Sequence, residues 1–365
     1  MLNVLHCNGH MDCSETENFI MNIFRNIDKK QVSFDFCLVP NKQFYFSQEI
    51  KNLGGKIYTY PFKKKYKFLL FLYAFTIFKT ILFKKHYNVV HSHFYFVNGI
   101  VLFIAWLCGV KKRVSHSHNS GDDIPNTLIN RIFKYIGRQL IFLFATDLCA
   151  CSTEAGKFLY GEKIKFNIIT NGIDCDKFKY DEIKRKKLIY NMNIYNKFVI
   201  GHIGRFDIQK NHKFLIDIFY EYTKLNSNSV LILIGIGKLQ NIIEQQVKNL
   251  NIQDKVMFLN NRNDIIDLLQ VMDCFVFPSI YEGFGISLLE AQCSGLPCFT
   301  SEIISDNVKV CNVEVLKLSY SAQYWAEYIN VYMKNFVRKS KFELLKQCGY
   351  DINETIKKLL LIYKK

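Results

Sequence analysis

Two carboxylates, Glu282 and Glu290, stand with seven residues between them in the segment Pro278–Pro297, PSIYEGFGISLLEAQCSGLP. Glu282 lies in a glycine-punctuated turn, Tyr281–Gly285. Glu290 lies one turn inside a helix expected over Ile286–Cys293, which Ser294-Gly295 ends. The run before the turn, Val271–Phe277, has strand character. A helix that starts just past a strand presents backbone N–H groups with no partner inside the helix, and these attract an anion. Gly283 and Gly285 let the backbone come close to such a ligand, with Phe284 and Ile286 beside it. The carboxylates then flank the anion, which suits a diphosphate carrying a ribose at one end and a sugar at the other. Upstream, Arg205 and Lys210 follow the apolar run Phe198–Ile203 in a loop, where charged side chains can reach a ligand. A planar guanidinium and a compact ammonium there would neutralise a diphosphate leaving as a glycosidic C–O bond breaks.

His91-Ser-His93 and His116-Ser-His118 each place two imidazoles on one face of a strand, half of a metal site. No Asp or Glu sits at ligand spacing, so no metal site is expected. Gly235-Ile-Gly237 lacks the third glycine of a dinucleotide fingerprint and comes mid-chain, which argues against an oxidoreductase. No cofactor is expected.

The elements that must position these residues alternate strand-like and helix-like runs throughout, the pattern of parallel sheets covered on both faces. In the first half the strands fall at Leu2–His6, Phe34–Val39, Lys56–Tyr60, Val89–Ser92, Lys112–His116, Leu148–Cys151 and Asn167–Thr170. A polar, basic stretch, Lys184–Asn196, reads as a linker. The second series comprises Phe198–Ile203, Val230–Ile234, Val256–Leu259, Cys274–Phe277 and Pro297–Thr300. At 365 residues the chain fits two domains. We expect two doubly wound α/β domains facing each other across a cleft.

Lys plus Arg outnumber Asp plus Glu by 48 to 32, a net charge of +16 that favours an anionic partner. Lys63–Lys85 holds seven lysines and no acid around the apolar Phe68–Phe78. Eleven uncharged residues fall short of the about 20 needed to span a bilayer. The segment reads either as a buried helix or as one seated on an anionic membrane surface. Val97–Val110 reads as a buried helix. The N-terminus shows no secretory signal, and the twelve cysteines have no Cys-x-x-Cys spacing, which suggests reduced core residues in a cytoplasm.

Together these segments resemble retaining glycosyltransferase family 4. His202–His212 (HIGRFDIQKNH) is similar to its strand–loop segment, and Val230–Gly237 (VLILIGIG) to its next strand and turn. Val256–Leu268, which contains Arg262, is similar to the base-facing loop, and Asn171–Asp174 with Phe178 to the element before the second domain. Asn18–Asp28, His116–Asn119 and Gly349–Ile352 resemble the branch that builds bacterial capsular and exopolysaccharides. The resemblance implies the GT-B fold, with residues 1–183 and a returning helix in 340–365 on the acceptor side, and 184–339 binding the nucleotide sugar. It implies that Arg205 and Lys210 hold the diphosphate, Glu282 orients the donor sugar and Glu290 holds the ribose hydroxyls. Gly235 would lie in the donor site. His118 would lie near the reacting sugar, and Asn119, Ser120 and Asp122-Asp123 would meet the acceptor, with His91 and His116 structural. Asp174-Cys-Asp176 looks like the metal-binding Asp-x-Asp of the other major glycosyltransferase fold, but it sits in a turn and linker element and is read as structural.

One departure stands out. The family's first loop carries Gly-Gly-x-Glu, whereas the corresponding positions here are Ser14-Glu15-Thr16-Glu17, with a carboxylate where phosphate would sit.

The expected activity is retaining, metal-independent transfer from a nucleotide diphosphate sugar, UDP above all, to a hydroxyl of a lipid-linked glycan. It would serve capsular or extracellular polysaccharide synthesis, in the cytoplasm or on the inner face of the membrane. The rivals are a sugar-nucleotide epimerase, a non-catalytic partner of an active transferase, and a transferase acting on DNA. The last is disfavoured because the densest basic block frames an apolar helix, and no nucleic acid is expected.

Overall fold

The computed structural model describes every residue except 10, 12–14, 40–43, 60–73, 75, 82–85, 122–124, 283 and 365. Ser14, the lysines at 63–67, 84 and 85, the Asp122-Asp123 pair and Gly283 therefore lie outside the described residues. The chain divides into two compact units. The first is Met1–Gly172 with Ile352–Lys365, and the second is Ile173–Asp351.

Among the described residues the first unit holds seven parallel strands: β1 (Leu2–Asn8), β2 (Val32–Leu38), β3 (Ile57–Tyr58), β4 (Val89–Ser92), β5 (Lys112–Ser117), β6 (Asp147–Ala150) and β7 (Asn167–Ile168). Their order is β3-β2-β1-β4-β5-β6-β7. The second unit holds six: β8 (Phe198–Ile203), β9 (Ser229–Ile234), β10 (Val256–Phe258), β11 (Cys274–Phe277), β12 (Cys298–Ser301) and β13 (Val313–Leu316). Their order is β10-β9-β8-β11-β12-β13, again all parallel. Continuous apolar runs such as SVLILI in β9 are buried along their whole length, as strands covered on both faces require. Each sheet reverses its winding once, between β1 and β4 and between β8 and β11. Ligands of doubly wound sheets bind beyond the strand ends at such reversals.

Several boundaries differ from expectation. Lys184–Asn196 is not a linker: Glu182–Asn191 is a helix capped by the Asp181 carboxylate, which accepts from Lys184 N at 3.0 Å. None of its residues is buried, so its sequence carries no apolar stripe to reveal it. The units divide at 172/173 and 351/352, where 183/184 and 339/340 were expected. The reason is packing: Cys175 and Phe178 join Leu345 and Tyr350 in the second unit's core. Val271 ends the helix Ile265–Val271 and is not part of β11. The last helix is two, Phe342–Gln347 and Ile352–Lys364, with Gly349 at φ 81° between them. The second of these buries Ile356, Leu359, Ile362 and Tyr363 in the first unit's core. Of the apolar 68–78 segment, the described Ile77 is buried beside Leu5 and Val101. No described helix is long and apolar enough to cross a membrane.

Candidate functional site

The winding reversal of the second sheet positions Arg205, Lys210, Glu282 and Glu290. The loop after β8 runs through Arg205 to a single 3-10 turn, Ile208–Lys210, capped by Asp207. Asn211 takes a left-handed conformation (φ 53°) and donates its side-chain amide to Pro278 O at 3.1 Å. Ile280 N donates to Gln209 O at 2.9 Å, so this loop is laced to the one after β11. The lacing brings Lys210 Nζ to 2.6 Å from Glu282 Oε1, while Gln209 Nε2 donates to Glu282 Oε2 at 3.2 Å. The Glu282 side chain is 3% exposed and that of Lys210 12%. The ammonium also lies 4.6 Å from the centre of the Phe277 ring.

Gly285, left-handed at φ 83°, turns the chain into the Ile286–Cys293 helix. Ser287 Oγ donates to Ile203 O at 3.3 Å and pins the helix start to the end of β8. Phe284 is buried against Tyr350, and Glu290 is half-buried one turn into the helix. Gly235 sits where a Cβ would collide with Gly204 O, so the loops after β8 and β9 touch through bare backbone. Arg205 is exposed, with no ion-pair partner among the described residues. Arg262 is committed elsewhere: it forks onto Asp264 at 2.7 and 2.5 Å beside a cavity of about 280 Å³ lined by Leu188, Met192 and Leu268. Beneath the loop, His202 Nδ1 donates to Val276 O at 2.8 Å. Burial holds His202 well below the usual imidazole range. It lowers His212 to about 4, with Lys210 adding to the effect in both.

In the first unit, the two His-x-His pairs and a further residue, His6, form one buried cluster across β1, β4 and β5. Parallel register sets His6 beside His91 and Ser92 beside Ser115, which stacks the rings on one sheet face. His118 Nε2 lies 2.8 Å from His93 Nδ1, and His93 Nε2 lies 3.0 Å from His6 Nδ1. A second chain runs from His116 Nδ1 to His91 Nε2 at 3.1 Å and from His91 Nδ1 to the Tyr363 hydroxyl at 2.6 Å. Each neutral imidazole has one donor and one acceptor, so choosing the tautomer of one ring fixes the rest of its chain. Three nitrogens at the chain ends, His6 Nε2, His116 Nε2 and His118 Nδ1, are buried without a partner among the described residues. Burial lowers all five, with His6 and His118 brought down to about 3.

His6, His91 and His93, and likewise His93, His116 and His118, bring nitrogens within 4.8 Å of one another, a spacing that could hold a metal ion. Those nitrogens are largely spent on each other. Asn119 follows as an exposed residue. Asp174 and Asp176 each bind a lysine, Lys177 and Lys346, both at 2.7 Å. Glu15 is not in a loop but opens the helix Glu15–Asn26, in whose first turn Glu17 is buried and accepts from Asn8 Nδ2 at 3.0 Å. Sequence reasoning missed His6, Gln209 and Tyr363. Only His6 had a signal, a third histidine within an expected strand of the first unit.

Comparison with known proteins bears on the family and the fold. The sequence model of the family described as glycosyl transferases group 1 matches residues 181–350. EpsF of Bacillus subtilis (strain 168), a protein named for glycosyltransferase activity, is 34% identical over 99% of this chain and 96% of its own length. The UDP-Gal:α-D-GlcNAc-diphosphoundecaprenol α-1,3-galactosyltransferase of Escherichia coli is 30% identical over 76% of each chain. The crystal structure of Anabaena HepE in complex with UDP and glucose superposes with a TM-score of 0.80 over the whole of both chains, at 17% identity. The match to EpsF along almost the whole of both chains, with the family model over the second unit and the shared two-unit fold, assigns the chain: it belongs to the group 1 glycosyltransferases, with the GT-B fold.

Proposed function

We propose that the protein is a retaining, metal-independent transferase that moves a sugar from UDP to a hydroxyl of a lipid-linked glycan in polysaccharide synthesis, at the inner face of a membrane. The observation that carries this reading is the Lys210–Glu282 pair, a nearly buried carboxylate holding a cation where the second sheet reverses. When a donor enters, Lys210 would exchange the carboxylate for diphosphate oxygens, and Arg205, exposed on the same loop, would take a second oxygen. Glu282, released from Lys210, would then accept from the sugar hydroxyls. Glu290 would hold the ribose hydroxyls, the Gly283–Ile286 turn would meet the phosphates through backbone N–H groups, and Gly235 would leave room for the donor. Arg262, once freed from Asp264, would approach the base.

The two cations would stabilise the negative charge that develops on the leaving diphosphate. Retention without a covalent nucleophile requires attack from the face on which the diphosphate departs, the phosphate itself accepting the acceptor proton. His118 would face the reacting sugar and Asn119 the acceptor. The E. coli relative named above supports a UDP donor and an undecaprenyl diphosphate acceptor by its name, and HepE by its bound UDP.

Titration calorimetry with UDP and UDP-sugars in the presence of EDTA, followed by NMR assignment of the product anomer, tests the proposal. Binding without metal and an α product from an α donor are expected. Absence of UDP binding, or a β product, overturns it.

A further inference from the structure

The helix Leu128–Phe144 (LINRIFKYIGRQLIFLF) buries only Gly137 and Ile141 fully. Leu128, Ile132, Tyr135, Ile136 and Leu143 are 70, 50, 64, 50 and 71% exposed. At about 100° per residue, they fall on one continuous outward arc, where Gln139 is the single polar residue. The neighbouring helix Asn98–Leu107 extends the patch with Trp106 and Leu107, 49 and 54% exposed. The Trp106 ring lies 5.1 Å from Phe144, so the two helices present one surface. These side chains expose on the order of 1,000 Å² together, against about 300–600 Å² for the largest apolar patch on a typical monomer.

The charges on the longer of the two helices have one sign. The Leu128–Phe144 helix has no Asp or Glu, and its cations Arg131, Lys134 and Arg138 run along one edge of the arc. Arg138 is used internally, donating to the carbonyls of Leu159 and Phe158 at 2.9 and 3.1 Å. Arg131 is exposed and Lys134 half-exposed. An apolar arc with a cationic edge, lying along a helix about 25 Å long, matches an element that rests in the plane of a bilayer interface. Exposed tryptophan at such a boundary is favoured, since its ring is apolar and its N–H polar. A second copy of the chain would set this cationic edge against its own kind, whereas an anionic leaflet complements it.

We propose that the face formed by Leu128–Phe144 and the end of Asn98–Leu107 seats the protein on an anionic lipid surface. The inference deepens the reading of a lipid-linked acceptor and rests on it for the choice of partner. It adds to the lysine-rich 63–85 segment a second candidate membrane contact, one that includes the end of the 97–110 stretch expected to be buried.

The test is co-sedimentation of the whole protein with phosphatidylcholine vesicles, with and without phosphatidylglycerol. The wild type is expected to bind the anionic vesicles, and the triple change Leu128→Gln, Ile132→Gln, Leu143→Gln to weaken partitioning about tenfold or more. UDP affinity should be unchanged. Arg131→Ser with Lys134→Ser should weaken binding to anionic vesicles alone. A measurement on the wild type needs no variant: Trp325 is fully buried, so a vesicle-induced blue shift in tryptophan fluorescence reports Trp106. Wild-type protein that ignores anionic vesicles, a triple variant that binds as well as wild type, or an unshifted Trp106 each overturns the proposal. A dimer dissolved by the triple change without vesicle binding also overturns it, and assigns the face to self-association. Vesicle binding by a protein that fails to bind UDP would leave this inference standing and remove the proposed function.

Discussion

Mild acid should unfold the first unit well before carboxylates protonate. His6 and His118 titrate near 3 in the folded chain, against about 6.5 in an unfolded one. A depressed imidazole pKa means that the unfolded chain binds more protons between those values. Its stabilisation is therefore intact above pH 6.5 and drains away as the pH falls towards 3. From pH 7 to pH 5 the loss is about 2 kcal/mol per imidazole, or about 4 kcal/mol for this pair. His91, His93 and His116 are lowered by burial and by the other rings, and they add to the loss in the same direction. Domains are stable by about 5–15 kcal/mol, so the unit should approach its midpoint near pH 5. Urea melts at pH 7, 6 and 5 on a Trp325→Phe variant, in which Trp106 alone fluoresces, would follow this unit. The urea midpoint should fall steeply over that range, and His93→Gln, which hydrogen-bonds without titrating, should flatten the fall. A midpoint that holds constant from pH 7 to 5 would show that the rings are not buried as neutral groups.

Glu282→Ala should abolish transfer while leaving UDP affinity within a few-fold, and Glu290→Ala should mainly weaken UDP binding. Calorimetry showing equal loss in both would mean the pair is misassigned. Arg205→Ala and Lys210→Ala should each lower kcat by roughly 10²–10³, the scale of removing one transition-state stabiliser. EDTA should not change the wild-type rate, whereas a loss restored by Mn²⁺ would return the histidine triads to consideration as metal ligands. Because Glu15 opens a helix, Glu15→Gly should cost about 0.5–1 kcal/mol of stability, read as a lower melting temperature, without tightening UDP-sugar binding. A tighter Kd would show that its carboxylate repels the donor.

The apolar strands were legible because burial on both faces writes an uninterrupted run, and β4, β8 and β11 begin and end where the sequence places them. β13 escaped because Val313–Leu316 is an edge strand with a glutamate in it and only Leu316 buried. The exposed face of Leu128–Phe144 escaped because an apolar periodicity does not say which side meets the core. In the second unit, residue types and loop positions were enough to pick out Lys210 and Glu282. That they pair with each other depends on Ile280 N reaching Gln209 O, a contact between loops 71 residues apart that no local pattern encodes. The histidine cluster shows the same limit. Two His-x-His pairs were visible, but parallel register alone brings His6 beside them.

The second unit begins at Ile173 and ends at Asp351, and these two residues are bridged to one another. Ile173 N also donates to Tyr350 O at 2.9 Å, so the segment closes on itself at its own entrance. Arg338 reinforces the closure from within. Its guanidinium, lowered to about 9 chiefly by burial, donates to the carbonyls of Leu269, Gln270, Met272 and Ser294, and Arg185 shares the Gln270 and Met272 carbonyls. A block whose ends meet can be cut out at 172/173 and 351/352 and replaced by its counterpart from a relative without stretching either junction. Recombination can therefore exchange this unit as a single cassette, and variety among such chains can arise by swapping a whole unit as well as by point mutation.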